Sequence, residues 1–88
     1  MTTLAPAKPL RSIVGTVVTV PMVSTTRRGT VMRFALRDGT ITHQVIARGP
    51  HYWGFSQTRV GDSLRVSGAP ARSPLGGRRF HATRASAA

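Results

Sequence analysis

Residues 30–48 read TVMRFALRDGTITHQVIAR. The first half of this stretch alternates large apolar residues with smaller or charged ones, and the large apolar residues are Met32, Phe34 and Leu36. A period of two is the pattern of a strand with one buried face, so 30–37 is predicted to be a β-strand. The Asp38-Gly39 pair that follows is typical of a tight hairpin turn. Residues 40–48 are therefore predicted to return as an antiparallel strand.

Three more segments have strand character, and they are 12–21, 63–68 and 78–85. The first is rich in β-branched residues, which prefer pleated sheet, and Gly15 inside it predicts a bulge or bend at a barrel corner. Between the third and fourth strands, 49–59 loses the alternation and is expected to be a connector with at most one helical turn. The segments 22–29 and 69–77 are predicted to be loops.

Five short strands with one longer connector predict an all-β barrel, because closure removes exposed sheet edges. The layout is that of the five-stranded OB-fold, a partly open Greek-key barrel. An SH3-like barrel is the alternative, although such barrels usually lack a long connector between the third and fourth strands. The expected organisation is a flexible basic arm over 1–11, a single OB-fold domain over 12–85 and a short frayed tail over 86–88.

The charge of the chain predicts a polyanionic partner. Thirteen Lys or Arg stand against two Asp or Glu among 88 residues, for a formal net charge of +11, and all of the basic residues except Lys8 are arginine. The guanidinium group binds phosphate through two hydrogen bonds and stacks on bases. Compositional bias can account for part of the arginine count, but the near absence of acidic residues is harder to explain in that way.

The composition also argues against several kinds of site. The sequence has no cysteine, which excludes disulfides, thiolate catalysis and cysteine-based metal centres. Asp38 and Asp62 each lie next to a glycine and are predicted to be turn residues, not an acid–base pair. The histidines His43, His51 and His81 lack metal-ligand spacing. We therefore expect no catalysis, no metal and no cofactor.

The sequence contains no apolar segment as long as a membrane span requires. The N-terminal residues lack the apolar core of a signal peptide, and no stretch approaches the roughly 20 apolar residues that span a bilayer. We therefore expect a cytoplasmic protein that has no membrane partner.

Three stretches of the chain resemble the nucleic-acid-binding OB family, and they are 13–17 (IVGTV), 34–40 (FALRDGT) and 60–68 (VGDSLRVSG). They are similar to stretches of bacterial single-stranded DNA-binding proteins, the primosomal replication protein and the N-terminal domain of exonuclease VII. The resemblance implies an OB-fold whose middle strands and flanking loops bind an oligonucleotide. The chain departs from the single-stranded DNA-binding proteins in its short connector, where that family usually has a longer helix.

Side-chain alternation predicts a basic outer surface. Arg33, Arg37 and Arg65 are expected to point outward on neighbouring strands, and Gln44 and Arg48 to do so on the third strand. The two loops that flank the groove of an OB-fold supply further arginines. The predicted nucleic-acid-binding residues are Arg27, Arg28, Arg33, Arg37, Gln44, Arg48, Tyr52, Arg65, Arg72, Arg78, Arg79 and Phe80.

Few aromatic side chains are available to stack on bases. Tyr52 and Phe80 are the preferred stacking residues in this prediction. Trp53 and Phe55 lie in the connector, and for each a ring that closes one end of the barrel is preferred over a stacking role.

The predicted function is sequence-tolerant binding of single-stranded DNA, in a replication, recombination or plasmid or phage accessory role. One alternative is a small basic RNA-binding OB-fold protein. Another is a non-catalytic protein-interaction module in a nucleoprotein assembly. A homo-oligomer, either a dimer or a tetramer, is also expected because single OB-folds often pair their edge strands.

Overall fold

Six strands and one short 3-10 helix follow one another along the chain. The computed structural model describes residues 11–72 and 77–88. Its elements are β1 (Arg11–Val17), β2 (Met22–Thr26), β3 (Gly29–Asp38), β4 (Ile41–Arg48), the 3-10 helix (Gly49–Phe55), β5 (Ser63–Arg72) and β6 (Arg78–Ala87). The predicted arm lies almost entirely outside these residues. Across the described ranges, no helix is both long and apolar enough to cross a bilayer.

Five of the strands close into a barrel. The sheet has the order β1-β5-β6-β4-β3-β2, and β1 pairs a second time with β3. The pairing of β4 with β6 is parallel, whereas the other pairings are antiparallel. β2 lies outside the closed ring as an extension that pairs with β3. This arrangement is the Greek-key barrel of the OB-fold, so the predicted fold is confirmed.

Alternating side chains from the barrel strands fill its interior. The core cluster consists of Val17, Met32, Phe34, Leu36, Val45, Ala47, Phe55, Val66, Phe80 and Ala82. The apolar face predicted for β3 is therefore confirmed, and on β4 Val45 and Ala47 point inward, which agrees with the outward orientation predicted for Gln44 and Arg48. Within the described residues, no polar or charged side chain is buried. The hydrophobic effect therefore provides the main stabilisation of this barrel.

The 3-10 helix closes one end of the barrel. Phe55 at its end is fully buried, and its ring centroid lies 6.0 Å from that of Phe34. At about three residues per turn, this seven-residue helix makes roughly two turns, so the expectation of at most one turn was wrong. Pro50 explains the early start, because proline lacks the backbone N–H that the first turn leaves unpaired.

β1 changes partner at Thr16, where the barrel closes. Thr16 pairs with Ser63 of β5 and also with Arg37 of β3. A Cβ at Gly15 would lie 2.8 Å from the carbonyl carbon of Arg37, so only glycine fits between the two strands. Pairing with β5 continues through Gly15 without a bulge.

The predicted first strand, 12–21, is interrupted after Val17. Val18 and Thr19 no longer form a regular β-strand, but both are hydrogen-bonded to β3. The backbone N–H of Val18 donates to the carbonyl of Ala35 at 3.0 Å, and the Thr19 hydroxyl accepts from the N–H of Ala35 at 2.8 Å. This corner separates β1 from β2.

A second irregularity lies between β5 and β6. Gly68 pairs with Ala82, whereas Ser67 pairs with Arg84, so Thr83 is an extra residue on β6. Such a bulge bends its strand and shifts the alternation by one residue. A Cβ at Gly68 would lie 2.9 Å from the Cα of Ala82, which explains the glycine at this close approach.

Both final strands run further than predicted. β5 extends to Arg72, so residues 69–72 of the segment predicted as the loop 69–77 belong to a strand. Residues 73–76 lie outside the described residues. β6 extends to Ala87. Ser86 and Ala87, which were expected in the tail, pair with Arg65 and Leu64.

Candidate nucleic-acid interface

Three adjacent strands present a basic outer surface, which we call the β3–β4–β6 face. It consists of Val31, Arg33, Ala35, Gln44, Ile46, Arg48, Arg79 and His81. Directly paired residues on one face of an antiparallel pair such as β3 and β4 have Cβ atoms about 4.5–5.5 Å apart. The register therefore places the residues of this face in short rows across the three strands.

Two of these rows run across all three strands. In the first, Arg33 is opposite Ile46, and Ile46 is opposite His81. In the second, Ala35 is opposite Gln44, and Gln44 is opposite Arg79. The predicted outward orientation of Arg33 and Gln44 is confirmed, since both side chains are exposed.

A third row joins Val31 to the exposed Arg48 at the end of β4. The register thus places Arg48 one row beyond Arg33, so the two guanidinium groups belong to adjacent rows of the face. Such spacing suits successive contacts along a phosphate backbone.

Apolar residues lie beneath the polar side chains of this face. Val31, Ala35 and Ile46 point outward by register, yet all are buried, with Ile46 only 4% exposed. They are not part of the core cluster. Their burial requires cover from neighbouring side chains, and arginine is a residue type that covers apolar surface with its stem while its charged head stays in water. The face therefore combines cationic groups with apolar surface between them.

The segment predicted as the loop 22–29 is instead a hairpin. Met22–Thr26 is a strand, and the turn that follows carries Arg27 and Arg28 at its tip, both exposed. The Thr26 hydroxyl accepts from the Arg28 N–H at 3.2 Å and donates to the Gly29 carbonyl at 3.0 Å. Because strand pairing holds both sides, these two arginines project from an ordered hairpin.

Three of the predicted arginines lie where β5 ends and β6 begins. Arg78 is exposed and Arg79 is half-buried opposite Gln44. Arg72 pairs through its backbone with Arg78. Its predicted side-chain role lies outside what the structure describes.

Arg65 does not belong to this face, so its predicted place beside the strand of Arg33 was wrong. β5 is not a neighbour of β3 in the barrel. Arg65 is opposite Val14 and Ser86. Ser86 is seven residues along β6 from Arg79, a separation of about 20 Å at the rise of a strand. Strand order in a closed barrel does not follow chain order, which explains the error.

Arg37 is exposed as predicted, but it lies at the far end of β3 from Arg48. Its pairing partner on β4 is Thr42. The Arg37 Nε donates to the Gly39 carbonyl at 2.9 Å, so the side chain is anchored at the β3–β4 turn. Its contribution to a nucleic-acid site remains a prediction.

The aromatic predictions are partly wrong. Phe80 is 2% exposed and belongs to the core cluster, so it cannot stack on a base. Tyr52 is half-buried and packs against the core. For Phe55 the barrel-closing alternative is confirmed, but for Trp53 it is wrong, because the indole is 73% exposed. The rings of Trp53 and Tyr52 lie 5.1 Å apart. Trp53 is thus an exposed aromatic residue that the stacking prediction missed.

The acidic side chains and the histidines were considered in the sequence as candidates for acid–base catalysis or metal binding. The Asp62 Oδ2 accepts from the Arg59 N–H at 2.9 Å, which confirms its predicted turn role. In residues 11–72 and 77–88, no group of three His, Cys, Asp or Glu side chains is placed to hold a metal ion.

Solved structures provide the comparison with known proteins. The chain is similar to a small single-stranded DNA-binding protein from Streptomyces coelicolor, with a TM-score of 0.81, 20% identity and 96% of each chain covered. It is similar to PriB from Ralstonia solanacearum, with a TM-score of 0.72, 16% identity, and 89% of this chain and 95% of that one covered.

A single-stranded DNA-binding protein from Thermus aquaticus is also similar, with a TM-score of 0.71 and 26% identity, over 90% of this chain and 39% of that one. No protein-family model matches the chain, and no curated protein matches it significantly. At these identities the likeness shows a shared fold, and the resemblance predicted from the sequence motifs is confirmed at that level.

Proposed function

We propose that this protein binds single-stranded DNA with little sequence preference, through the β3–β4–β6 face. The observation that carries the proposal is the juxtaposition on that face of exposed arginines with outward-facing apolar residues. Single-strand binders combine a basic track for the backbone with surfaces on which bases lie. The DNA-binding proteins of similar fold support the same function.

Each type of side chain has a role in this proposal. Arg33, Arg48 and Arg79 contact phosphates, which gives affinity without reading sequence. Base planes lie on the apolar surface of Val31 and Ile46 once the guanidinium groups turn toward the backbone. A base reaches such a surface only when it is not paired in a duplex, so the face favours single strands.

The hairpin that carries Arg27 and Arg28 adds cationic groups beside the face. Because β2 pairs with β3 from Met22 to Thr26, this hairpin continues the sheet that forms the face. In the proposal its two guanidinium groups hold the backbone of the bound strand.

We further propose a non-catalytic role as a replication, recombination or plasmid or phage accessory factor, and a dimeric or tetrameric assembly. Light scattering coupled to size-exclusion chromatography measures the assembly. A monomer at all concentrations would contradict that part of the proposal and leave strand binding unaffected.

Fluorescence anisotropy with a labelled thymidine oligomer tests the proposed function. The oligomer has about 30 nucleotides, which exceeds the roughly 4–16 nucleotides that one OB-fold covers. The wild-type protein should bind at low salt. The variant with Arg33→Ala and Arg48→Ala should bind more weakly. Its salt dependence should fall by about 1.4 in log–log slope, since each phosphate contact contributes about 0.7.

A matched control removes the same charge elsewhere. Arg59→Ala combined with Arg65→Ala deletes two exposed arginines that lie off the face. If both double variants lose binding equally, net charge and not the face is responsible. A uridine oligomer that binds more tightly than the thymidine oligomer would favour the RNA alternative, and binding of neither would favour the protein-interaction alternative.

A further inference from the structure

The bulge at Thr83 directs Arg84 to the outer surface. Ala82 before the bulge and Ala85 after it both face the interior, because the extra residue resets the alternation of β6. Arg84 is consequently exposed and opposite Ser67 of β5. With an uninterrupted period of two, its guanidinium would instead point toward the core.

A polar groove lies beside this bulge. It has a volume of about 510 Å³, and its lining residues are Arg11, Ser12, His51, Ser67, Thr83 and Arg84. Hydrogen bonds of hydroxyl groups connect three of its lining residues. The Ser12 and Ser67 hydroxyl oxygens are 3.0 Å apart, and the Thr83 hydroxyl donates to the Ser67 carbonyl at 3.2 Å. The volume is within the range of ligand-binding cavities.

The lining of the polar groove has the chemistry of a phosphate site. Arg11 and Arg84 line it from different strands, and both residues are exposed. No carboxylate is among the lining residues described, so nothing there neutralises the two positive charges. Hydroxyl groups such as that of Ser12 complement guanidinium groups as hydrogen-bond donors to phosphate oxygens.

The polar groove continues into the β3–β4–β6 face. A second cavity of about 240 Å³ lies between them, and its lining residues are Ile46, Arg48, His51, His81, Ala82 and Thr83. His51 and Thr83 line both cavities. Ile46, Arg48 and His81 belong to the face, so a chain that leaves the face past Arg48 enters the polar groove directly.

We infer that the polar groove binds a phosphate group of the strand that lies on the β3–β4–β6 face, with Arg11 and Arg84 as its principal ligands. This inference rests on the proposed function, and it extends the binding path around the barrel past β6. The phosphate is either an internal phosphodiester of the strand or its terminal phosphate.

Arg84→Ala tests the inference, and Arg59→Ala is its matched control. Both residues are exposed arginines, and the Arg59 segment lies at the other end of β1, where the Gly61 N–H donates to the Val17 carbonyl. That end is about 20 Å from Arg11 at the rise of a strand. Anisotropy is measured across a salt series with thymidine oligomers of about 15 nucleotides, near the upper site size of one OB-fold. The oligomers are prepared with and without a 5′-phosphate.

Arg84→Ala should weaken binding and lower the log–log salt slope by about 0.7, the contribution of one phosphate. Arg59→Ala should leave the slope unchanged. An effect of Arg84→Ala on both oligomers identifies an internal phosphodiester, and an effect confined to the phosphorylated oligomer identifies a terminal phosphate.

Equal effects of the Arg84 and Arg59 variants would overturn the inference, since they would reflect net charge alone. If the wild-type protein bound neither oligomer, the proposed function itself would fail, and the groove inference with it. Unfolding curves from circular dichroism for both variants separate loss of binding from loss of fold.

Discussion

The hydroxyl of Thr19 replaces a strand partner for Ala35, because its oxygen accepts the Ala35 backbone N–H at 2.8 Å in the corner between β1 and β2. Ala35 is buried as a residue, and the hydrogen bond to Thr19 is part-buried. Thr19→Val keeps the side-chain shape but removes the acceptor, and an unsatisfied buried donor costs about 1–3 kcal/mol. Urea denaturation should show a loss of that size. Thr19→Ser retains the hydroxyl and should stay near wild type, and an equal loss in both variants would contradict this role.

Gly15 makes a second contact on which closure of the barrel depends. Gly15→Ala places a methyl group against the backbone of Arg37, where neither strand can move without breaking the β1–β3 pairing. We expect a loss of roughly 1–3 kcal/mol in unfolding free energy, typical of overpacking. Gly54→Ala is the control, because a Cβ there meets nothing within 4 Å. A Gly15→Ala protein as stable as wild type would show that the strands can separate at this point.

Phe80 provides a test between packing and stacking. Because its ring is buried in the core, Phe80→Leu should lower the unfolding free energy by up to about 1.5 kcal/mol and leave oligonucleotide affinity nearly unchanged. Thermal unfolding and anisotropy on the same sample measure both quantities. A stacking role would have the reverse signature, with weaker binding at unchanged stability.

Trp53 is the exposed aromatic residue that we expect to contact a base. As the single tryptophan of the chain, it reports on its own environment. Its emission should be quenched when a thymidine oligomer is added, and Trp53→Ala should cost about 1–3 kcal/mol of binding, the range for one stacked base. Trp53→Phe keeps a flat ring and should recover most of the loss. Binding of the oligomer without a change in tryptophan emission would show that the DNA does not contact Trp53.

The middle of the fold was predictable because its pattern is uninterrupted. From Met32 to Leu36, and again at Val45 and Ala47, strict alternation continues on both sides of an Asp-Gly turn, and the observed register agrees with it. The same rule puts Phe80 and Ala82 on one side of β6 and Arg79 and His81 on the other. The assignment of Phe80 to stacking failed because the chemistry of the ring was given more weight than its position.

The remaining errors concern relationships between strands that are distant in the chain. The bulge at Thr83 depends on the pairing of β6 with β5 at Gly68, and the local sequence around Thr83 contains no signal that predicts it. Arg84 was consequently absent from the predicted site. Arg65 was included because barrel order cannot be read from alternation within one strand.

The outward arginines also bear on stability. The two side-chain carboxylates can balance only two of the thirteen basic groups, so the folded barrel holds many mutually repelling charges at short range. A bound polyanion supplies the negative charge that the chain itself lacks, and it stabilises the folded state as any ligand specific to that state does. Added salt therefore has opposite effects on folding and on binding. It screens the repulsion and stabilises the folded protein, but it lowers the affinity for single-stranded DNA.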